Sequence, residues 1–288
     1  MTKNIMPFPA LGGAARRVGD VTVYRRAGAV VVRQRANGPR RAPMSLAQQR
    51  QCLLMANAVN LWRSFARGQR PAFEGRPAGT SDYNCFVAHA LQAEPVFLPR
   101  WQTANGGCVV NGAAVSGGTL PPVAVSAPGG LPPATDIALG ALEPTPATPA
   151  GRLARAVVDN NGDVRPGDRL LFVLCRQWWD EAMETPYVRS CAVALDLDPA
   201  DTAPLGQRVG DSPGFAARGG FLAAAPLPQG GAAWVHARPS ADGWRYSPQR
   251  LWVRNGLLES CATPQALAAA VATLPHARRC RAAGRRDG

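Results

Sequence analysis

The sequence predicts an α+β fold. An amino-terminal β-hairpin plus two helices should precede a mostly antiparallel, β-sandwich-like domain that ends in a C-terminal helix. Three observations lead there. Thirty glycines and 27 prolines among 288 residues favour many turns over long helices. Apolar residues recur at helical spacing in only a few windows, near 46–66, 82–91 and 263–274. From residue 96 onward, short apolar runs alternate with Gly and Pro signals, as in all-β domains.

The first element is "VTVYRRAGAVVVRQR" at 21–35. Val21 and Val23 alternate with Thr22 and Tyr24, Ala27-Gly28 supplies the turn, and the return strand is β-branched. The period of two puts Arg33 and Arg35 on one face. A Pro-containing loop with Arg40 and Arg41 follows. Ser45 then stands as N-cap with Gln48 three residues on, a capping-box pattern. Leu54, Ala58, Leu61, Trp62 and Phe65 make the apolar stripe of the first helix, which Gly68 and Pro71 end. Ser81 caps the second helix, "SDYNCFVAHAL", whose Tyr83, Phe86, Val87 and Leu91 are spaced to pack on the first.

Seven β-like runs come next: "GGCVVNGAAVSGG", "PPVAVSA", "TDIALG", "DRLLFVLCRQWW", "YVRSCAVALDL", "GGAAWVHARP" and "GWRYSPQRLWVRN". "LEPTPATPA" (142–150) reads as a loop, and "TPQALAAAVATL" (263–274), capped by Thr263, as a closing helix. The expected organisation is a basic hairpin-helix module (1–95), a β-rich domain (96–275) and a disordered basic tail (276–288).

Charge divides the chain the same way. Residues 1–80 hold 14 basic residues against Asp20 and Glu74, while 81–275 hold 13 against 16 acids, and the tail holds five arginines against Asp287. A net +13 concentrated at the ends points to an anionic partner for the amino-terminal part. Arg25, Arg26, Arg33, Arg35, Arg40, Arg41 and Arg50 are expected to form one strip across hairpin and helix start, where bidentate guanidinium groups and a helix amino terminus both favour anions. Tyr24 is the lone aromatic there, so nucleic-acid contact would be backbone-directed and sequence-tolerant. The single lysine, Lys3, lies at the terminus and leaves no lysine for Schiff-base or P-loop chemistry.

Seven cysteines (52, 85, 108, 175, 191, 261 and 280) contain no C-x-x-C pair, which suggests reduced thiols used as small core residues. The first 25 residues lack an apolar h-region and no apolar run approaches membrane-spanning length, so a cytoplasmic protein without a signal peptide or membrane contact is expected.

Several fragments imitate chemical motifs. "DNNGDVRPGD" begins like a calcium loop at Asp159, Asn161 and Asp163, but Val164 and Leu170 replace the required Gly and Glu. Asp196 and Asp198 close a strand without the lysine that an aspartyl phosphotransfer site needs. Ser116 in "AVSGG" lacks the following helix of a nucleophile elbow. His89, His236 and His276 are tied to no acid by any motif. Trp178, Trp179, Trp234, Trp244 and Trp252 could make a carbohydrate-stacking platform, but such residues more often fill a β core or cover its rim. No catalytic residue, metal site or cofactor is therefore expected.

The order of a basic hairpin, a Pro-Arg loop, "AQQRQ", a Trp-bearing helix and "FEGRPAGTSDYNCFVAHAL", followed by "GGCVV", "GGTLP", "GDRLLF" and "WVHARP", resembles a family of uncharacterised proteins common in Bacteroidota genomes, over residues 19 to 275. The amino-terminal half is also similar to small proteins of phage-like and mobile elements. The loop reads Gly38-Pro39-Arg40 where Asn-Pro-Arg or Asn-Pro-Lys is the pattern. The resemblance implies an assembly or mobile-element role and carries over no catalytic residue. The resulting expectation is a non-catalytic structural or assembly protein, able to form a homo-oligomer, that binds an acidic protein partner through the arginines. The alternatives are sequence-nonspecific nucleic-acid binding and a carbohydrate-binding β-domain.

Overall fold

A computed structural model describes residues 16–18, 21–26, 29–34 and 44–272. The chain divides into two compact units, Met1–Ser45 with Pro77–Thr80, and Leu46–Arg76 with Ser81–Gly288. The first unit contains β1 (Arg16–Val18), β2 (Val21–Arg26) and β3 (Ala29–Gln34) in an antiparallel sheet of order β1-β2-β3. Val21 pairs with Gln34 and Arg26 with Ala29, the register of the expected hairpin, while β1 is a strand the sequence did not announce.

The second unit begins with α1 (Leu46–Arg63), β4 (Ala72–Phe73), α2 (Asp82–Ala90), α3 (Arg100–Ala104), β5 (Ala114–Gly117), β6 (Val125–Ser126) and β7 (Ala134–Ala138). It continues through α4 (Ala150–Asn160), β8 (Arg169–Asp180), β9 (Thr185–Asp196), α5 (Leu205–Val209), β10 (Ala216–Arg218) and β11 (Phe221–Ala223). It ends with β12 (Gly230–Ser240), β13 (Gly243–Tyr246), β14 (Gln249–Arg250), β15 (Trp252–Arg254), α6 (Gly256–Ser260) and α7 (Pro264–Ala272). The fold is mixed α+β with mostly antiparallel strands and a C-terminal helix.

The central sheet has the order β13-β12-β8-β9, with β15 also on β12. β8 and β9 pair without interruption from Arg169↔Asp196 to Asp180↔Thr185. Both faces of this sheet are buried, which explains the unbroken apolar run "LLFVLC". On one face Val173, Cys175, Ala233 and Val235 pack with Leu61, Trp62 and Phe65 of the α1 segment and Phe86 of α2. On the other, Leu170, Phe172, Leu174 and Trp234 pack with Leu153 and Val157 of α4. α4 presents Ala150, Leu153, Ala154 and Val157 at helical spacing, and Pro149 precedes its first residue. Two small sheets flank the centre, β10-β11-β7-β6 and β14-β5-β4.

α1 ends at Arg63, three residues before the expected 66. The Ser190 amide of β9 donates to the Ser64 carbonyl at 3.2 Å, which draws the chain onto the sheet edge before another helical turn forms. Ser81 caps α2 as expected, its hydroxyl accepting from the Asn84 amide at 3.3 Å. Thr263 likewise caps α7 through the Ala266 amide at 3.1 Å.

"GGCVV" is not a strand. Apart from the Cys108 N–H, which donates to the Pro186 carbonyl at 2.9 Å, its partners are mostly side-chain amides: the Asn57 amide donates to the Val109 carbonyl at 3.0 Å and accepts from the Val109 N–H at 2.8 Å. Gln177 accepts from the Val110 N–H at 2.8 Å and donates to the Cys108 carbonyl at 3.1 Å. Asn60 donates to the carbonyls of Thr103 and Gly107 at 2.8 and 2.9 Å. All three amides are buried, so each stands in for a missing strand.

Residues 35, 40 and 41, the turn 27–28 and the tail 276–288 lie outside the described residues. No helix among the described residues is long and apolar enough to cross a membrane.

Removal of Asn57 strands two buried backbone groups, each costing about 1–3 kcal/mol. Asn57→Ala should therefore lower the unfolding free energy by roughly 2 kcal/mol or more, measured by urea titration. The cysteines give a second check. Burial pushes the Cys108 and Cys175 thiols up to about 12, whereas Cys52 is exposed on α1. A thiol reagent at neutral pH should modify Cys52 promptly and reach Cys108 and Cys175 only after denaturation.

Candidate functional site

The arginines singled out by sequence separate between the two units. Arg25, Arg26 and Arg33 lie on β2 and β3 of the first, and Arg33 is exposed. Arg50 belongs to α1 in the second, where it is exposed with its guanidinium carbon 5.3 Å from the Phe97 ring centroid. Arg35, Arg40 and Arg41 lie outside the described residues. Acid pairing follows a pattern. Asp196 bonds Arg169, Asp201 bonds Arg208, and Asp168 bonds Arg238, all within the β-rich part. Among the described residues, Arg33, Arg50, Arg63, Arg67 and Arg70 form no ion pair.

The motif-like fragments have local structural roles. The Ser116 hydroxyl donates to the Ser247 carbonyl at 2.6 Å, so its proton is committed. Asn161 holds Ala138 through both backbone groups and also donates to the Val157 carbonyl, acting as a clamp rather than a ligand. Among the described residues no group of three His, Cys, Asp or Glu side chains is placed to hold a metal ion. His89 stacks on Phe73 with centroids 5.5 Å apart.

The tryptophans do not share a surface. Trp234 is buried against Phe172, its indole N–H donating to the Gly214 carbonyl at 2.7 Å. Trp178 and Trp179 are successive residues of β8 and face opposite ways. Trp244 packs under Arg169, ten residues from Trp179 along β8 and hence about 33 Å away.

His236 has an acid after all, 68 positions away. Its Nε2 lies 2.7 Å from Asp168 Oδ2, and Arg238 meets both carboxylate oxygens at 2.9 and 2.8 Å. Asp168 is 2 % exposed and His236 3 %. Burial pushes the Asp168 carboxyl up, but the Arg238 guanidinium, His236 and the Arg165 amide together hold it below the usual carboxylate range. This cluster ties the start of β8 to β12.

The built concavity is elsewhere. A cleft of about 350 Å³ opens where the first core meets the β9 edge. Two cross-strand rows make its floor, Ala194–Leu171–Val235 and Ala192–Val173, with Phe65 and Val115 also in the lining. Alanine on β9 in place of larger apolar residues leaves the space. The segment 68–72 forms one wall, carrying Gln69 and Arg70.

Glu74 fixes that wall. Its carboxylate accepts from the amides of Thr119 and Tyr246, each at 3.1 Å, and from the Thr119 hydroxyl at 2.9 Å. Burial raises the Glu74 carboxyl less than these bonds and Arg245 lower it. Across the cleft stand Arg169 and Tyr246, and a second hollow of about 580 Å³ shares Arg70 and continues to Trp62 and Tyr83. Sequence reading missed this site. The signal available was the run "CAVALD", with alanine at alternate positions of a strand whose neighbours carry Leu and Val.

Comparison with protein-family models, curated proteins and solved structures found no match to this chain.

Asp168→Ala leaves Arg238 and His236 without their acid and should cost about 3–5 kcal/mol in unfolding free energy. Because the folded carboxyl is depressed, its contribution is complete above the unfolded value of about 3.9 and disappears as pH falls through the folded value. The stability gap between the native chain and Asp168→Asn should therefore be constant at neutral pH and close below about pH 4, as followed by chemical denaturation.

Proposed function

We propose that this chain is a non-catalytic binding protein of an assembly or mobile-element type, whose amino-terminal arginines grip an acidic protein partner. One observation carries the reading. Three acids of the β-rich part, Asp168, Asp196 and Asp201, pair with that part's own arginines, and ten arginines stand between Asp20 and Glu74 with no acid among them. Charge left without internal partners costs folding self-repulsion, and an anionic partner relieves it. Arg25, Arg26, Arg33, Arg35, Arg40, Arg41 and Arg50 supply the binding charge, through bidentate contacts to carboxylates. A nucleic-acid backbone would satisfy the same charge and is the competing outcome of the test.

Nuclease-treated full-length chain, analysed by size exclusion with light scattering, should run as a discrete species free of nucleic acid. It should bind polyglutamate with an affinity that falls as salt rises. Replacing Arg33 and Arg50 by Gln together with Arg40→Ala and Arg41→Ala should weaken that binding about tenfold or more. A monomer that retains nucleic acid and binds DNA and RNA equally, with a steep salt slope, would transfer the function to the nucleic-acid reading. Unchanged polyglutamate binding by the variant would remove these residues from the site.

A further inference from the structure

We propose that the cleft beside β9 is a binding site for a small organic carboxylate, an aliphatic or aryl acid whose apolar body lies on the alanine-floored end of the sheet and whose head group meets Arg70 and Tyr246. The polarity of the lining selects the charge. No Asp or Glu lines the cleft, and its lining carries the donor groups of Arg70, Arg169, Gln69 and Tyr246 beside the Ser116 hydroxyl. Arg70 forms no ion pair among the described residues, and its guanidinium carbon lies 5.3 Å from the Trp62 ring centroid. Gln69 has its oxygen engaged by the Ala192 N–H at 3.3 Å, which leaves the NH₂ as its free end. Arg169 spends its Nε on Asp196 at 2.6 Å and keeps its Nη donors. Burial, with the Asp82 carboxylate adding to it, raises the Tyr246 phenol against Arg169 and Arg76, so it remains a donor at neutral pH.

The floor selects the body. Leu171, Val173 and Val235 offer branched apolar surface, while Ala192 and Ala194 leave the volume beside it empty. A volume of about 350 Å³ lies at the low end of ligand pockets, about 300–1,000 Å³, and suits one small molecule rather than a chain segment. Apolar lining with a few convergent polar groups is the usual composition of such sites. With Arg70 and Arg169 in the lining and no Asp or Glu among it, the cleft disfavours an ammonium head, which would face two guanidinium groups. None of the arginines between 25 and 50 is among the residues that line it.

The test uses the full-length chain and ligand-observed NMR with three probes of equal length: octanoate, octanol and octylamine. Octanoate should bind saturably with a Kd of about 1 mM or tighter, octanol at least about tenfold more weakly, and octylamine not at all. Arg70→Gln, at an exposed position without an ion pair, should weaken octanoate about tenfold and leave octanol unchanged. Ala192→Leu should fill the cleft and abolish binding of both while the melting temperature is kept. The site is refuted by octylamine binding as well as octanoate, by no saturable octanoate binding up to roughly 10 mM, or by native affinity in both variants. Polyglutamate binding should be unaffected by Ala192→Leu, so failure here and failure of the polyanion reading are read separately.

Discussion

Burial of both faces of the β8–β9–β12 sheet governs the second unit. A sheet with one wet face needs apolar residues only at alternate positions, and a helix layer on one side suffices. Here Leu170, Phe172 and Leu174 must be covered on one side, and Val173 and Cys175 on the other. α1 and α2 therefore take one face and α4 the opposite one, which brings elements from residues 46–90 and 150–160 into the same fold. Backbone groups between two dry layers have no water to fall back on, which is why β8 and β9 pair along their full length. The cleft follows from the same constraint. At the β9 edge the cover thins to the segment after α1, Ser64 and Gln69 bond the strand edge, and the two alanines leave the floor unfilled.

Side-chain amides perform the second structural task. The connection between α3 and β5 runs through the interior with one backbone bond to a strand, from the Cys108 N–H to the Pro186 carbonyl of β9, and buried loops are costly unless every amide is met. Asn57, Asn60 and Gln177 meet them one by one. The arrangement couples α1 to β8 through the segment they both hold, and so locks the helix that leads directly into the cleft wall. Glu74 does the same at the far end of that wall, binding Thr119 and Tyr246.

Elements whose local pattern agreed with their environment were readable in advance. The hairpin, α1, α2, α7 and strands β8, β9 and β12 carry period, caps and turn signals that point one way. α4 carries the stripe Ala150, Leu153, Ala154 and Val157, but it follows a Pro-rich stretch, and two weak alanines lower its apolar contrast. "GGCVV" has strand composition yet pairs with side chains, a choice that depends on residues 50 and 70 positions distant. The His236–Asp168 pair and the cleft are legible only from register, because β8–β12 pairing is what brings position 168 to position 236. Tryptophan composition was the weakest guide, since Trp62 and Trp234 lie in the two cores and the exposed Trp178 and Trp179 face opposite ways from β8.

The two anion sites proposed for this chain would be governed by different physics. The amino-terminal arginines would act through solvent, where a Debye length of about 8–10 Å at physiological salt limits them to a partner that brings many charges at once. Affinity there comes from number and is surrendered to ionic strength. At the cleft, Arg70 and Tyr246 stand against an apolar floor, where water is partly excluded and a single carboxylate interacts more strongly than it would in bulk. Affinity there comes from desolvating the body and pairing one head group, so it should resist salt and follow the length of the apolar chain. A polyanion cannot use the cleft, because its charges carry no apolar body to cover Leu171 and Val173. A single small acid cannot hold the amino-terminal arginines, because one charge releases too few counterions. The two proposed sites would therefore select different partners although both prefer negative charge.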